Sequence, residues 1–221
     1  MAGGNTLRST SSYHHGDLRN ALVDAATALA REGGPDAVVL REAARRVGVS
    51  AAAAYHHFAN REQLVQAVKH RTLALLSGQM QAALDQDRTS ATPGRGRKQP
   101  SANEVARRRL RALGAAYLQF AFDEPGLFRI TFGPRGPWPT NEATARHDDN
   151  VGPFLLLRQV LDELVAVGVV PQERRAGLEY VTWAQVHGIA TLCLDGPLAR
   201  VTPAERQATI DQTLDNIIRG L

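Results

Sequence analysis

The chain has 221 residues, 43% apolar and 22% charged, with a formal net charge of +4. That length fits one large domain or two small ones, and the composition excludes a disordered chain. A single cysteine, Cys193, excludes an internal disulfide and any Cys-x-x-Cys metal site.

Charge is unevenly placed. Arg88, Arg95, Arg97, Lys98, Arg107, Arg108, Arg109 and Arg111 lie close together with only Glu104 among them. Five of the seven histidines, His14, His15, His56, His57 and His70, fall in the first 70 residues. The opening MAGGNTLRSTSS has no apolar stretch of the kind a signal peptide needs. The longest strongly apolar runs, such as Leu164–Val170, are far short of a membrane span. The expectation is a protein of the reducing cytoplasm with no membrane contact.

Apolar residues recur at helical spacing almost everywhere, and no convincing alternating strand is found, so the expected fold is all-α. Residues 1–12 read as a flexible arm. A first helix is predicted from near Asp17, with Leu22, Ala25, Ala26 and Leu29 as its apolar stripe and Gly33-Gly34 as its stop. A short helix follows from about Leu40 to Val47, then the turn Gly48-Val49-Ser50, then a helix from Ala51 to about His57. Asn60 and Gln63 have capping-box spacing and open a long fourth helix reaching about residue 84. Residues 85–103 lack large apolar side chains and are rich in Pro, Gly, Ser and Arg, so a flexible basic linker is expected there. The basic run as a whole reads as solvated linker plus one helix face.

Beyond the linker, residues 104–221 read as a second helical domain. Leu110, Leu113, Tyr117 and Phe120 mark a fifth helix, and Pro125 suits the first turn of a short one ending near Phe132. GPRGPWPTN reads as a loop. A longer helix is predicted from about Val151 to Val167, and another from Pro171 to Asp195 with Gly196 as its stop. Thr202-Pro203-Ala204-Glu205 combines an N-cap, an N1 proline and a capping-box glutamate ahead of a last helix.

Two short helices joined by a three-residue turn containing glycine describe a helix-turn-helix. Ala44 leaves room where the helices cross, and Gly48 can take the left-handed conformation of the turn. Ser50 caps the third helix and can offer its hydroxyl to a phosphate. Four alanines, Ala51 to Ala54, would let that helix press deep into a major groove, where methyl groups meet thymine methyls. Tyr55, His56, His57 and Arg61 would surround the entry with phosphate donors. The bland alternative is a structural three-helix unit that touches no nucleic acid.

YHHGDLRNALVDAA and LREAARRVGVSAAAAYHHFANREQL, within residues 13–70, resemble the N-terminal domain of the tetracycline-repressor (TetR) family. DEPGLFRITFG and Trp183-Ala-Gln-Val-His187-Gly188 resemble a TetR C-terminal subtype named for its Trp…His-Gly motif. The resemblance implies an all-α homodimeric transcriptional regulator, usually a repressor that binds a double-stranded DNA operator and is released by a small molecule. Carried over by position, Arg41 matches a base-contacting site, Ala51, Ala52 and Ala53 match groove-facing positions, and Tyr55 and Arg61 match phosphate-contacting sites. Three departures stand out. Val39 replaces the usual Ser or Thr cap of the second helix, Ala51 replaces a residue often Lys, Gln or Pro, and Arg61 replaces a lysine.

Tyr117, Phe120, Phe128, Phe154, Tyr180 and Trp183 gather most of the large C-terminal aromatics. They read either as ordinary core or as the wall of a largely apolar effector pocket, with His187, one turn after Trp183, as a polar contact. The last two long helices are expected to pair with their two-fold mates as a four-helix bundle, because one protomer leaves their apolar stripes uncovered, with Ile210, Leu214, Ile217 and Ile218 as the seam. No catalytic motif, no metal site and no cofactor is expected: phosphate-cradling loops and nucleophile elbows are missing, and His14-His15 has no carboxylate cluster beside it. The competing reading is an architectural protein that binds DNA without an effector.

Overall fold

Leu22, Ala26, Leu29 and Ala30 share one face of the first helix and are all buried. That spacing makes a helix whose apolar stripe needs cover, and the next elements supply it. The computed structural model describes residues 15–90, 99–133 and 152–221, and those residues form nine α-helices with no strand among them. They are α1 (His15–Gly33), α2 (Leu40–Val47), α3 (Ala51–His57), α4 (Arg61–Ser90), α5 (Ala102–Asp123), α6 (Pro125–Phe132), α7 (Gly152–Ala166), α8 (Leu178–Asp195) and α9 (Pro203–Gly220). Single 3-10 turns at Pro35–Ala37 and Gln172–Arg174 precede α2 and α8.

Helices α1, α2 and α3 close around Val38, Leu40, Ala43, Ala44, Ala54 and Phe58, and α4 seals them with Leu64 and Val68. Packing then continues without a break: one apolar cluster runs from Leu22 through Leu76, Leu113 and Leu161 to Ile217. Helix α4 packs on α1, α5, α6 and α7 and so joins the head to the larger helical part.

Several boundaries differ from the sequence reading. Helix α1 starts at His15, two residues before the Asp17 start expected. Helix α4 does not stop at 84 but runs to Ser90. The added turn is held by Asp87, buried and paired with Arg108 of α5. A charge pair, rather than apolar periodicity, carries the helix on. The helix expected from Pro171 starts at Leu178 instead. Gly177 has φ 73°, a left-handed residue that ends the preceding turn before α8 begins. The stretch GPRGPWPTN lies outside the described residues beyond Gly133, as do residues 1–12 and most of the basic linker.

The basic run is corrected too. Arginines on one short stretch of α5 reach three other helices. Arg107 donates to the Ile218 carbonyl at 2.7 Å, and Arg109 pairs with Glu163 of α7 at 2.7 Å. Arg111 pairs with Asp211 at 2.9 Å and with Asp215, both on α9. These side chains tie helices together rather than forming a solvated face.

The dimer-seam expectation fails for three of its four residues. Ile210, Leu214 and Ile217 are 7%, 3% and 5% exposed within a single protomer. A Cβ on Gly114 of α5 would lie 2.7 Å from Leu214, so α9 already uses this stripe to pack on α5. Ile218 is half-buried against the same core. The capping box that opens α9 is present as expected, with Thr202 accepting from the Glu205 N–H and Glu205 accepting from the Thr202 N–H.

Candidate functional site

The turn between α2 and α3 is built as its sequence requires. Gly48 has φ 78° and ψ 28°, the left-handed conformation, and its N–H reaches back to Ala44 and Arg45 carbonyls. Ser50 accepts from the Ala53 N–H at 3.1 Å and caps α3, which leaves its hydroxyl hydrogen available outward. Val39 makes no side-chain cap for α2. Asn60 accepts from the Gln63 N–H at 2.9 Å, but Gln63 accepts from the Ala59 N–H rather than closing the expected reciprocal box on Asn60.

The alanines divide by function. Ala54 is fully buried in the core, whereas Ala52 is exposed and Ala51 and Ala53 are half-buried. Three alanines, not four, belong to the outer face. Arg41, Tyr55 and His56 are exposed around them, and His57 is half-buried. Among the arginines of α2, Arg45 pairs with Glu42 at 2.7 Å and Arg46 with Glu32 at 2.5 Å. Arg41 has no ion pair among the described residues, which leaves its guanidinium free for an outside acceptor.

Arg61 makes contacts inside the fold that the sequence does not announce. Its Nε donates to the Val38 carbonyl at 2.8 Å and a terminal nitrogen donates to the Pro35 carbonyl. The guanidinium therefore holds the turn that enters α2, in the stretch where Val39 supplies no cap. An arginine does here what a point-charge lysine does less well, because its planar fork reaches two carbonyls at once.

The second constellation lies among α5, α6, α7 and α8. Tyr117, Phe128, Phe154, Tyr180, Trp183 and His187 fall into one connected ring group. Phe120 is buried on α5 but has no ring contact to the group among the described residues. Phe132 was not singled out from the sequence, yet its ring is 4.8 Å from Phe128, 5.4 Å from His187 and 6.4 Å from Trp183. Its spacing of four from Phe128 was the readable signal.

Polar chemistry threads this group. The Trp183 Nε1–H donates to the Tyr117 hydroxyl at 3.2 Å, and that hydroxyl lies 2.8 Å from His187 Nδ1. An indole N–H only donates. All three groups are satisfied when Tyr117 accepts from Trp183 and donates to Nδ1, with the His187 proton on Nε2. Burial holds the Tyr117 phenol well above its usual range, with the Trp183 bond acting weakly the other way. Burial also lowers the His187 pKa, which favours the neutral ring this chain of bonds requires.

Among the described residues no group of His, Cys, Asp and Glu is placed to hold a metal, and no helix is long and apolar enough to cross a membrane.

A glycine-hinged pair of short helices on a larger helical body defines a helix-turn-helix DNA-binding protein. Residues 22–68 match the family described as bacterial regulatory proteins, tetR family, and residues 110–217 match one described as tetracyclin repressor-like, C-terminal domain. Together these cover well over half of the chain, which therefore belongs to the TetR family of transcriptional regulators. A stretch of 75 residues is 41% identical to the HTH-type transcriptional regulator BetI of Rhizobium meliloti (strain 1021), spanning 34% of this chain and 36% of that regulator. A protein of unknown function from Rhodococcus sp. RHA1 superposes with a TM-score of 0.71 at 26% identity, over 96% of this chain and 98% of that one. RolR in complex with resorcinol has the same fold, with a TM-score of 0.57 at 20% identity over 91% of this chain and 87% of that one.

Proposed function

We propose that this regulator binds a palindromic DNA operator as a homodimer and releases it when a small, largely apolar molecule enters its C-terminal part. Residues 13–70 serve as the DNA-binding domain and residues 104–221 as the effector and dimerisation domain. The C-terminal part is assigned to the Trp…His-Gly subtype, on the strength of Trp183, His187 and Gly188 in one stretch of α8. The observation that carries the DNA reading is the outer face of α2 and α3: small at Ala51, Ala52 and Ala53, with an uncommitted Arg41 beside it. Small side chains permit close approach of the helix to a groove floor, and an arginine fork reads guanine bidentately. Ser50, Tyr55, His56 and His57 supply phosphate contacts that fix register. Arg61 joins this set through its remaining N–H groups, since Nε and one terminal nitrogen already donate to the Val38 and Pro35 carbonyls.

Dimerisation is assigned to α8 in place of the buried α9 stripe. Val181 is 59% and Leu192 40% exposed, and Ala184 and Gly188 lie between them at helical spacing on the same outer face. A Cβ on Gly188 would meet nothing within 4 Å, so a second helix has room to come close. For the effector, the ring group supplies an apolar, aromatic environment threaded by one polar chain. RolR, of the same fold, holds a small aromatic diol, and a molecule of that size suits such surroundings. A ligand shifts operator affinity tenfold when it prefers the released conformer by about 1.4 kcal/mol.

Arg41→Ala tests the base-reading role. Binding measured on an operator and on scrambled DNA of equal length is expected to weaken by about 1–3 kcal/mol on the operator alone. Equal losses on both DNAs would remove Arg41 from sequence readout.

A further inference from the structure

His187 is held by one ring nitrogen and offers the other. Its Nδ1 lies 2.8 Å from the Tyr117 hydroxyl, which also accepts from the Trp183 indole N–H at 3.2 Å. The phenol hydrogen goes to Nδ1, so the imidazole carries its own proton on Nε2. That Nε2–H has no hydrogen-bond partner among the described residues, yet it is not one of the fully buried polar atoms left unpaired. It is therefore reachable from outside the fold. Trp183, Phe132 and Phe128 stand round the imidazole, with ring centroids 5.2, 5.4 and 5.5 Å away. Tyr117 and Phe128 are buried, whereas Phe132, Phe154, Trp183 and His187 are half-buried. The ring group thus has a buried floor and an accessible side, and its open donor is Nε2–H.

Charge on the four helices that carry these rings is committed within the fold. Arg129, next to Phe128, pairs with Asp195 at 2.8 Å and donates to the Leu194 carbonyl. Glu179, one turn before Trp183, is held by Arg175 at 2.7 Å. Arg109 of α5 pairs with Glu163 of α7 at 2.7 Å. The other charged side chains of α5 to α8 are likewise bonded among the described residues. An ionic ligand among the rings would lose hydration and find no free counter-charge on these helices. A neutral oxygen acceptor avoids that penalty and needs only one donor.

We infer that the ring group takes an uncharged, largely apolar molecule bearing one hydrogen-bond acceptor, a carbonyl or ether oxygen, which His187 meets with its Nε2–H. The rings receive the apolar body by stacking and edge contacts, and the donor fixes which end of it faces α8. Tyr117 is a positioning residue: its bond to Nδ1 sets the tautomer and so makes the outward nitrogen a donor rather than an acceptor. Burial lowers the His187 pKa, in keeping with a neutral ring. This inference names the effector class and rests on effector release; binding and release of DNA are measured separately for that reason.

The test uses acetophenone, its hydrocarbon isostere isopropenylbenzene and the anion benzoate, titrated by calorimetry into DNA-free full-length protein. Acetophenone is expected to bind at least about tenfold more tightly than benzoate. His187→Phe should weaken acetophenone about five- to tenfold and leave isopropenylbenzene within about twofold. Nitrogen-15 spectra of wild type should show the His187 proton on Nε2, and acetophenone but not isopropenylbenzene should move that signal. Tyr117→Phe should let the proton spread to Nδ1. These spectra keep the test decisive if His187→Phe does not fold. No binding of acetophenone, benzoate bound as tightly, equal losses of acetophenone and isopropenylbenzene in His187→Phe, or a wild-type proton on Nδ1 overturns the site. Acetophenone bound at Nε2 without operator release upholds the site and defeats the effector reading instead.

Discussion

Tyr117 holds together the polar chemistry of the aromatic group. Its single hydroxyl accepts from Trp183 and, with the His187 proton on Nε2, donates to His187. Protonation of His187 would place a hydrogen on Nδ1, turn the phenol into a double acceptor and strand its own hydrogen. Burial therefore holds the folded-state pKa of His187 below the ordinary 6.5. As pH falls, the unfolded chain takes this proton first, so the stabilisation is complete above about pH 6.5 and is lost as pH drops towards the folded value. Glu32, Glu42 and Glu205 have pKa values held below 4.5 by hydrogen bonds, and their contributions fade only at lower pH. The melting temperature is expected to fall between about pH 7.5 and pH 5.5, and His187→Gln to flatten that fall. Parallel pH curves for the two proteins would show that His187 is not the group responsible.

Helix α6 has only eight residues, yet it touches both parts of the molecule. Phe128 and Phe132 enter the aromatic group, while Gly126 lies so close to α1 that a Cβ would sit 2.0 Å from the Ala30 carbonyl oxygen. Glu124, its N-cap, pairs with Arg31 at the end of α1. A change in the ring group thus has a short, stiff route to the head. Because the neighbour at Gly126 is backbone, it cannot swing aside. Gly126→Ala should cost about 1–3 kcal/mol in denaturant unfolding, whereas Gly78→Ala, with nothing near its Cβ, should gain up to about 1 kcal/mol from helix propensity. A neutral Gly126→Ala would mean that α6 is not seated tightly on α1. Elements of this kind were legible where local rules govern them: Gly48, Ser50, the Thr202 box and the bounds of α6 all follow from residue type and spacing. What escaped depended on distant partners. Nothing local says that Asp87 extends α4, that Arg61 turns inward to Val38, or that α9 packs Leu214 on Gly114 within one protomer.

For the molecule as a whole, a stripe of Val181, Ala184, Gly188 and Leu192 on α8 stays outside while the stripe of α9 is covered. Two copies joined through α8 would carry two α3 helices, and a palindromic operator requires them about 34 Å apart, one turn of duplex DNA. Charge in place of Val181 should leave a folded protomer unable to pair. Whether this chain reads DNA as such a dimer is decided by footprinting on an operator selected from random duplexes. Wild type is expected to protect two inverted half-sites with centres about 10 base pairs apart, or a multiple of that. Val181→Glu, sedimenting as a folded monomer, should lose that protection at the same concentration. Protection of a single half-site by wild type, an unaltered two-part footprint from a monomeric Val181→Glu, or no sequence preference in the selection would contradict it.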